Sequence, residues 1–118
     1  VLEIGCDQGE TTRRLVARGC AVLAVDKAAD RLRAAQDAVP GATFLVCDVL
    51  CEPDRVEGEY SSVFVDINGS RAYDTVLKCV RWAERRWPAA LVVVKSSEAM
   101  RVHFPGAIEV SAPARQRA

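Results

Sequence analysis

The chain has 118 residues, of which 50% are hydrophobic and 27% charged. That length and composition suit one soluble globular domain and exclude both a two-domain protein and an intrinsically disordered one. Acidic and basic residues balance at 16 each, so no net field draws the chain toward nucleic acid or an anionic membrane, although a local basic face is compatible with that balance.

Val1–Ile4 is a short apolar run that predicts the first strand. Gly5-Cys6-Asp7-Gln8-Gly9 follows, and Thr11 to Arg18 then reads as a helix closed by Gly19, a residue suited to the left-handed turn after a helix end. Ala21–Val25 predicts the second strand, with Asp26 just beyond it; Leu32, Ala35 and Val39 then recur at helical spacing until Pro40-Gly41 stops them. Phe44–Cys47 is the third strand, with Asp48 beyond it, and a loop leads to the fourth, Ser62–Val65, which ends at Asp66. Ser70 is the expected N-cap of a helix whose apolar stripe is Tyr73, Val76, Leu77, Val80 and Trp87, with Pro88 as its stop. Ala90–Val94 is the fifth strand, and Ala107–Val110 is a candidate for one more.

Near-continuous apolar strands are those of a parallel sheet covered by helices on both faces. Right-handed crossovers turn this alternation into an α/β, doubly wound, mostly parallel sheet. Residues 1–110 are expected to form the domain and 111–118 a disordered tail. The first residue is Val1 and not methionine, so a core incomplete at its termini is expected, and a targeting peptide upstream stays open.

In such sheets ligands bind at the carboxyl ends of the strands, and here Asp7, Asp26, Asp48 and Asp66 all stand just past strand ends. Gly5 and Gly9 allow a tight bend and close backbone approach, before a helix that offers free N–H groups. Asp26, just over twenty residues past Gly5, is placed to accept hydrogen bonds from both hydroxyls of a ribose. Asp48 could accept from an adenine amino group. A dinucleotide site needs G-x-G-x-x-G, whereas the corresponding later positions are Asp7 and Glu10. Two carboxylates at a helix mouth repel a pyrophosphate but tolerate a ligand carrying sulfonium and ammonium charges.

On these residues the sequence resembles the class I S-adenosylmethionine-dependent methyltransferases. Glu3, Gly5 and Gly9 match the family's E/D-x-G-x-G-x-G loop, with Asp7 in place of its middle glycine. The resemblance implies a Rossmann-like methyltransferase core that binds S-adenosyl-L-methionine. It implies that Glu3, Gly5, Cys6, Asp7 and Gly9 form the cofactor loop, that Asp26 holds the ribose and Asp48 the adenine side, that Lys27 and Val49 beside them also bind the cofactor, and that Asp66 lies near the methionine moiety and acceptor. "VFVDINGS" and "LVVVKS" further resemble the fourth and fifth strand ends of FtsJ-type and fibrillarin-like RNA methyltransferases. That implies a catalytic pair, Asp66 and Lys95, facing an acceptor ribose; an upstream lysine of that set would precede Val1, and a later glutamate could be Glu98 or Glu109. RNA, protein and small molecules all stay open as acceptors. Two other classes also stay open: a non-catalytic S-adenosylmethionine-binding interaction module, and an NAD-binding oxidoreductase domain.

The five cysteines, Cys6, Cys20, Cys47, Cys51 and Cys79, form an odd set, mostly in apolar surroundings, and read as free thiols in a reducing, intracellular compartment. Cys47 and Cys51 with a single histidine, His103, fall short of a zinc site, so no metal is expected. No apolar run approaches the roughly 18 residues of a bilayer span, and no membrane partner is expected. Trp82 and Trp87 read as helix packing, "RWAERR" as a solvated charged face, and the arginines of "APARQRA" as part of the tail.

Overall fold

In a computed structural model, which describes residues 1–67 and 73–95, the chain forms strands β1 (Leu2–Ile4), β2 (Leu23–Asp26), β3 (Thr43–Val46), β4 (Ser62–Val65) and β5 (Leu91–Val94). Three helices alternate with them: α1 (Glu10–Ala17), α2 (Ala29–Ala38) and α3 (Tyr73–Arg86). The sheet order is β3-β2-β1-β4-β5, and every pairing is parallel. β1 lies at the centre, with Ile4 opposite Val25 on one side and Val65 on the other. The chain therefore winds outward from β1 in one direction as far as β3, then crosses back and winds out in the other through β4 to β5.

Strand alternation divides the core into two layers. On one face Leu2, Ile4, Val25, Val63 and Val65 pack with Val76, Cys79, Val80 and Ala83 of α3, together with Cys47, Val49 and Val56 from the β3 to β4 crossover. On the other, Val22, Ala24, Cys6 and Ala35 form a smaller cluster, joined by Leu15 and Val16 of α1 and by Phe44. The helices thus cover both faces, as the apolar strands require. Glu3 lies between Leu2 and Ile4, so period-two geometry sends it to the α1 side.

The elements end close to where their sequence signals stand. α1 closes in a Schellman arrangement: Gly19, at φ +83°, donates its N–H to the Val16 carbonyl, and the Cys20 N–H reaches that of Leu15. α1 begins one residue earlier than expected, because Gly9 in the left-handed region already acts as its N-cap. The crossover between β3 and β4, read as loop, contains one 3-10 turn over Pro53–Arg55. Ser70, Ala107–Val110 and the tail lie outside the described residues. No helix among those described is long and apolar enough to cross a membrane.

Trp87 ties this crossover to α3. It is 2% exposed, donates its indole N–H to the Gly58 carbonyl at 2.9 Å, and meets Tyr60 and Trp82 edge to face, with both centroid distances at 5.2 Å. Trp87→Phe keeps a ring but leaves the Gly58 carbonyl without its donor. The expected loss is about 1–3 kcal/mol in urea unfolding; a loss below about 0.5 kcal/mol would mean that another donor replaces the indole.

Candidate functional site

The winding direction reverses between β1 and β4, and at such a point the loops leaving two neighbouring strands part and open a crevice. The loop after β1 is shaped by left-handed residues: Gly5 at φ +86°, Asp7 at +49° and Gly9 at +87°. Its first residue is pinned, since the N–H groups of Gly5 and Cys6 both donate to the Val25 carbonyl, at 2.8 and 3.3 Å. Gly5 has no room for a side chain, because a Cβ there would stand 2.2 Å from the Asp66 carbonyl oxygen. Gly9 is less confined: a Cβ there would stand 3.1 Å from the Ala35 Cβ, a tight contact that a small shift could relieve.

The crevice is a cleft of about 410 Å³ whose lining includes Gly5, Asp7, Asp26, Lys27, Asp48, Val49 and Asp66. Asp26, the last residue of β2, holds its carboxylate on two backbone donors: Oδ2 accepts from the Asp7 N–H at 3.0 Å and Oδ1 from the Ala28 N–H at 2.9 Å. Each oxygen keeps a lone pair for a further donor. Asp48 folds over its own turn, with Oδ1 accepting from the Leu50 N–H at 3.0 Å. Arg31, in the first turn of α2, forms an ion pair with Asp7 across the cleft mouth.

Two buried carboxyls lie deeper. Glu3 is fully buried; Oε1 accepts from the Thr12 hydroxyl of α1, and Oε2 has no hydrogen-bond partner among the described residues. Burial pushes its carboxyl from the ordinary 4.5 to about 7; the Thr12 bond opposes the rise, nearby Asp66 adds to it, Lys95 opposes it and Asp26 adds to it. Asp66 is 8% exposed. Its Oδ2 faces the Lys95 ammonium at 3.4 Å, and Oδ1 lacks a partner among the described residues. Burial raises its pKa as well, while Lys95 pulls it back. The backbones beside this pair are fixed by the sheet, with the Asp66 N–H on the Ile4 carbonyl and the Lys95 N–H on that of Val65.

No protein-family model matches the chain, and a search of curated proteins finds no match. Solved structures do match. A TehB-like S-adenosylmethionine-dependent methyltransferase from Corynebacterium glutamicum is 23% identical, with a TM-score of 0.66 over 79% of this chain and 52% of that one. The sugar N-methyltransferase of a Streptoalloteichus species is 22% identical, with a TM-score of 0.62 over 79% and 38%. Magnesium protoporphyrin IX methyltransferase from Synechocystis, solved with bound S-adenosylmethionine, is 17% identical, with a TM-score of 0.61 over 73% and 43%. The chain has the class I methyltransferase fold. It spans about half or less of the length of these three structures.

Within that methyltransferase fold the expected site residues separate into layers. Gly5, Asp7, Asp26, Lys27, Asp48, Val49 and Asp66 line the cleft itself. Glu3 stands behind the loop, and the Cys6 side chain is buried in the smaller core cluster. Gly9 borders a second hollow beside the loop, which Asp66 and Lys95 also line. Burial raises the Cys6 thiol to about 12 and the Cys79 thiol to about 12 as well. All five cysteines are free, and Cys51, held up by the charge of Asp48, is not an activated nucleophile either. Glu98, His103 and Glu109 lie outside the described residues. Sequence reading missed Arg31 and Thr12. Both sit on helix faces turned toward the loop, and only the rotation of α1 and α2 about their axes reveals them.

The buried Glu3 makes stability depend on pH. Its folded pKa is raised above the unfolded one, so between about pH 4.5 and 7 the folded chain holds more proton than the unfolded chain, and stability falls as pH rises through that window. In urea unfolding the native chain should be more stable at pH 5 than at pH 8, by up to about 3 kcal/mol. Glu3→Gln should flatten most of this slope, leaving the same-signed contribution of Asp66. A slope equal in both proteins would remove Glu3 as its source.

Proposed function

We propose that the chain is the cofactor-binding core of an S-adenosylmethionine-dependent methyltransferase. The observation that carries this reading is the charge of the cleft: Asp7, Asp26, Asp48 and Asp66 line it with Lys27 and Arg31, and Arg31 is already engaged by Asp7. The Asp66 oxygen without a described partner calls for a donor or a cation. A pyrophosphate meets repulsion there, while a sulfonium bearing an ammonium group meets the opposite. The neighbours solved with S-adenosylmethionine or its demethylated product, S-adenosylhomocysteine, support the same choice of ligand.

Gly5 brings backbone close to the ligand, Asp26 offers a free lone pair on each oxygen to the two ribose hydroxyls, and Asp48 with Val49 forms the adenine side. S-adenosylmethionine, when bound, supplies a methyl group already activated on sulfur. What remains for the protein is to align an acceptor with that group and exclude water, an effect worth several kcal/mol. On the acceptor side, the Asp66–Lys95 pair supports a hydroxyl, and an RNA ribose in particular. Lys95 would stabilise developing negative charge on the oxygen, with Asp66 orienting the ammonium.

In calorimetric titration, S-adenosylmethionine and S-adenosylhomocysteine should bind and NAD should not. Asp26→Ala should weaken binding by about 1.5–3 kcal/mol, the range for hydrogen bonds to a charged group. Tight NAD binding with no response to S-adenosylhomocysteine would end the methyltransferase reading.

Lys95→Ala tests the hydroxyl acceptor. After a radiolabelled-methyl screen against RNA and protein has found an acceptor, the variant should keep its cofactor affinity while methyl transfer falls by roughly two to four orders of magnitude. Label in protein alone, or transfer at the native rate, would exclude the ribose version and leave the methyltransferase version standing.

A further inference from the structure

We infer that Arg31 is a positioning residue for the cofactor site, holding Asp7 in the left-handed conformation from which its backbone N–H fixes the ribose acid Asp26. The role given to Asp26 rests on the proposed function; the loop geometry does not.

Among the described residues Asp7 is the one non-glycine at positive φ, +49°. An L-residue pays in Cβ crowding there, and aspartate tolerates it better than most. Asp7 also occupies the position where the E/D-x-G-x-G-x-G pattern has glycine, so the conformation that glycine adopts unaided must here be held by something else. Two contacts hold it. The Asp7 N–H donates to Asp26 Oδ2 at 3.0 Å, and the Asp7 carboxylate pairs with the Arg31 guanidinium.

The two contacts act on one another. Asp26 Oδ1 is fixed independently, by the Ala28 N–H, but Oδ2 depends on the direction of the Asp7 N–H. If residue 7 relaxed to the right-handed region, the chain beyond it would be redirected and the turn that the Gly9 N–H closes on the Cys6 carbonyl at 2.8 Å would open, pulling on the Cys6–Asp7 peptide whose N–H is the only described partner of Oδ2. The Asp7 charge would also be released into a cleft already lined by Asp26, Asp48 and Asp66. Arg31 prevents both from the first turn of α2, which begins three residues after Asp26. One guanidinium thus bridges the loop after β1 to the helix after β2, the two segments that frame the ribose acid.

The test is a double-mutant cycle with two readouts. Exposed ion pairs contribute up to about fivefold in an equilibrium constant, so Arg31→Ala should weaken S-adenosylhomocysteine binding about three- to fivefold in the native chain and speed amide exchange at residue 7 by a similar factor in NMR. Arg31→Lys should recover part of both. In an Asp7→Gly background Arg31→Ala should change neither by more than about 1.5-fold, because glycine needs no support at that φ. Equal losses in both backgrounds would show that Arg31 acts on the ligand or on the fold at large, and would overturn the positioning role. Unchanged exchange at residue 7 in a chain that binds S-adenosylhomocysteine would overturn it as well. A native chain that fails to bind S-adenosylhomocysteine would instead sink the proposed function, and with it the ribose role of Asp26.

Discussion

The carbonyl of Asp66 passes so close to Gly5 that a single methyl group at residue 5 would stand 2.2 Å from it. The paths of the two segments that frame the crevice depend on that approach. It lets the loop after β1 and the chain after β4 leave the sheet side by side, and it brings the Asp66 carboxylate under the loop instead of out into solvent. The positive φ of Gly5 then sends the chain back over β2, where the Val25 carbonyl receives two successive N–H groups. A side chain would have to move backbone on one strand or the other, and the central pairing of β1 with β4 leaves little freedom for that.

Packing so many acids into one end of a sheet has an electrostatic cost, and the structure handles it unevenly. Asp26 and Asp48 are stabilised by backbone N–H donors, Asp7 by a guanidinium, and Asp66 in part by Lys95. Glu3 has one hydroxyl and, among the described residues, no cation within bonding reach. Burial holds this carboxyl toward neutrality, and a positive charge brought near it would favour its ionised form. The acids therefore divide into those whose charge the fold meets with donors or a cation and those, Glu3 and Asp66, that keep one oxygen without a partner among the described residues.

The strands and the acids at their ends were legible because both follow from local rules. Continuous apolar runs marked the strands, and the first polar residue after each marked the end that faces a ligand in a parallel sheet. The place of Asp26 at the end of β2 could be read from its spacing after Gly5, because α1 and β2 together fill that interval. What the rules did not reach was the direction of individual side chains. Glu3 was legible as part of a loop motif, yet it turns away from Leu2 and Ile4 to meet Thr12 on α1. Cys6 lies in the same motif, but its thiol is in the core. The pairing of Asp7 with Arg31 spans 24 positions in the sequence and depends on how α2 is rotated against the sheet, which no periodicity in a ten-residue helix specifies.

The sheet order also imposes an order in time. β1 meets β2 and β2 meets β3 through short helical connections, so these contacts close small loops, whereas β1 meets β4 only across about sixty residues. Loop closure is slower and entropically more costly for the longer span. The half of the molecule that carries Gly5, Asp26 and Asp48 can therefore assemble from local encounters, and it presents a finished edge on β1 to the half that carries Asp66 and Lys95. Docking of β4 onto that edge is then the step at which Gly5 meets the Asp66 carbonyl, so the approach that leaves residue 5 no room for a side chain belongs to the pairing of longest sequence span among the described strands.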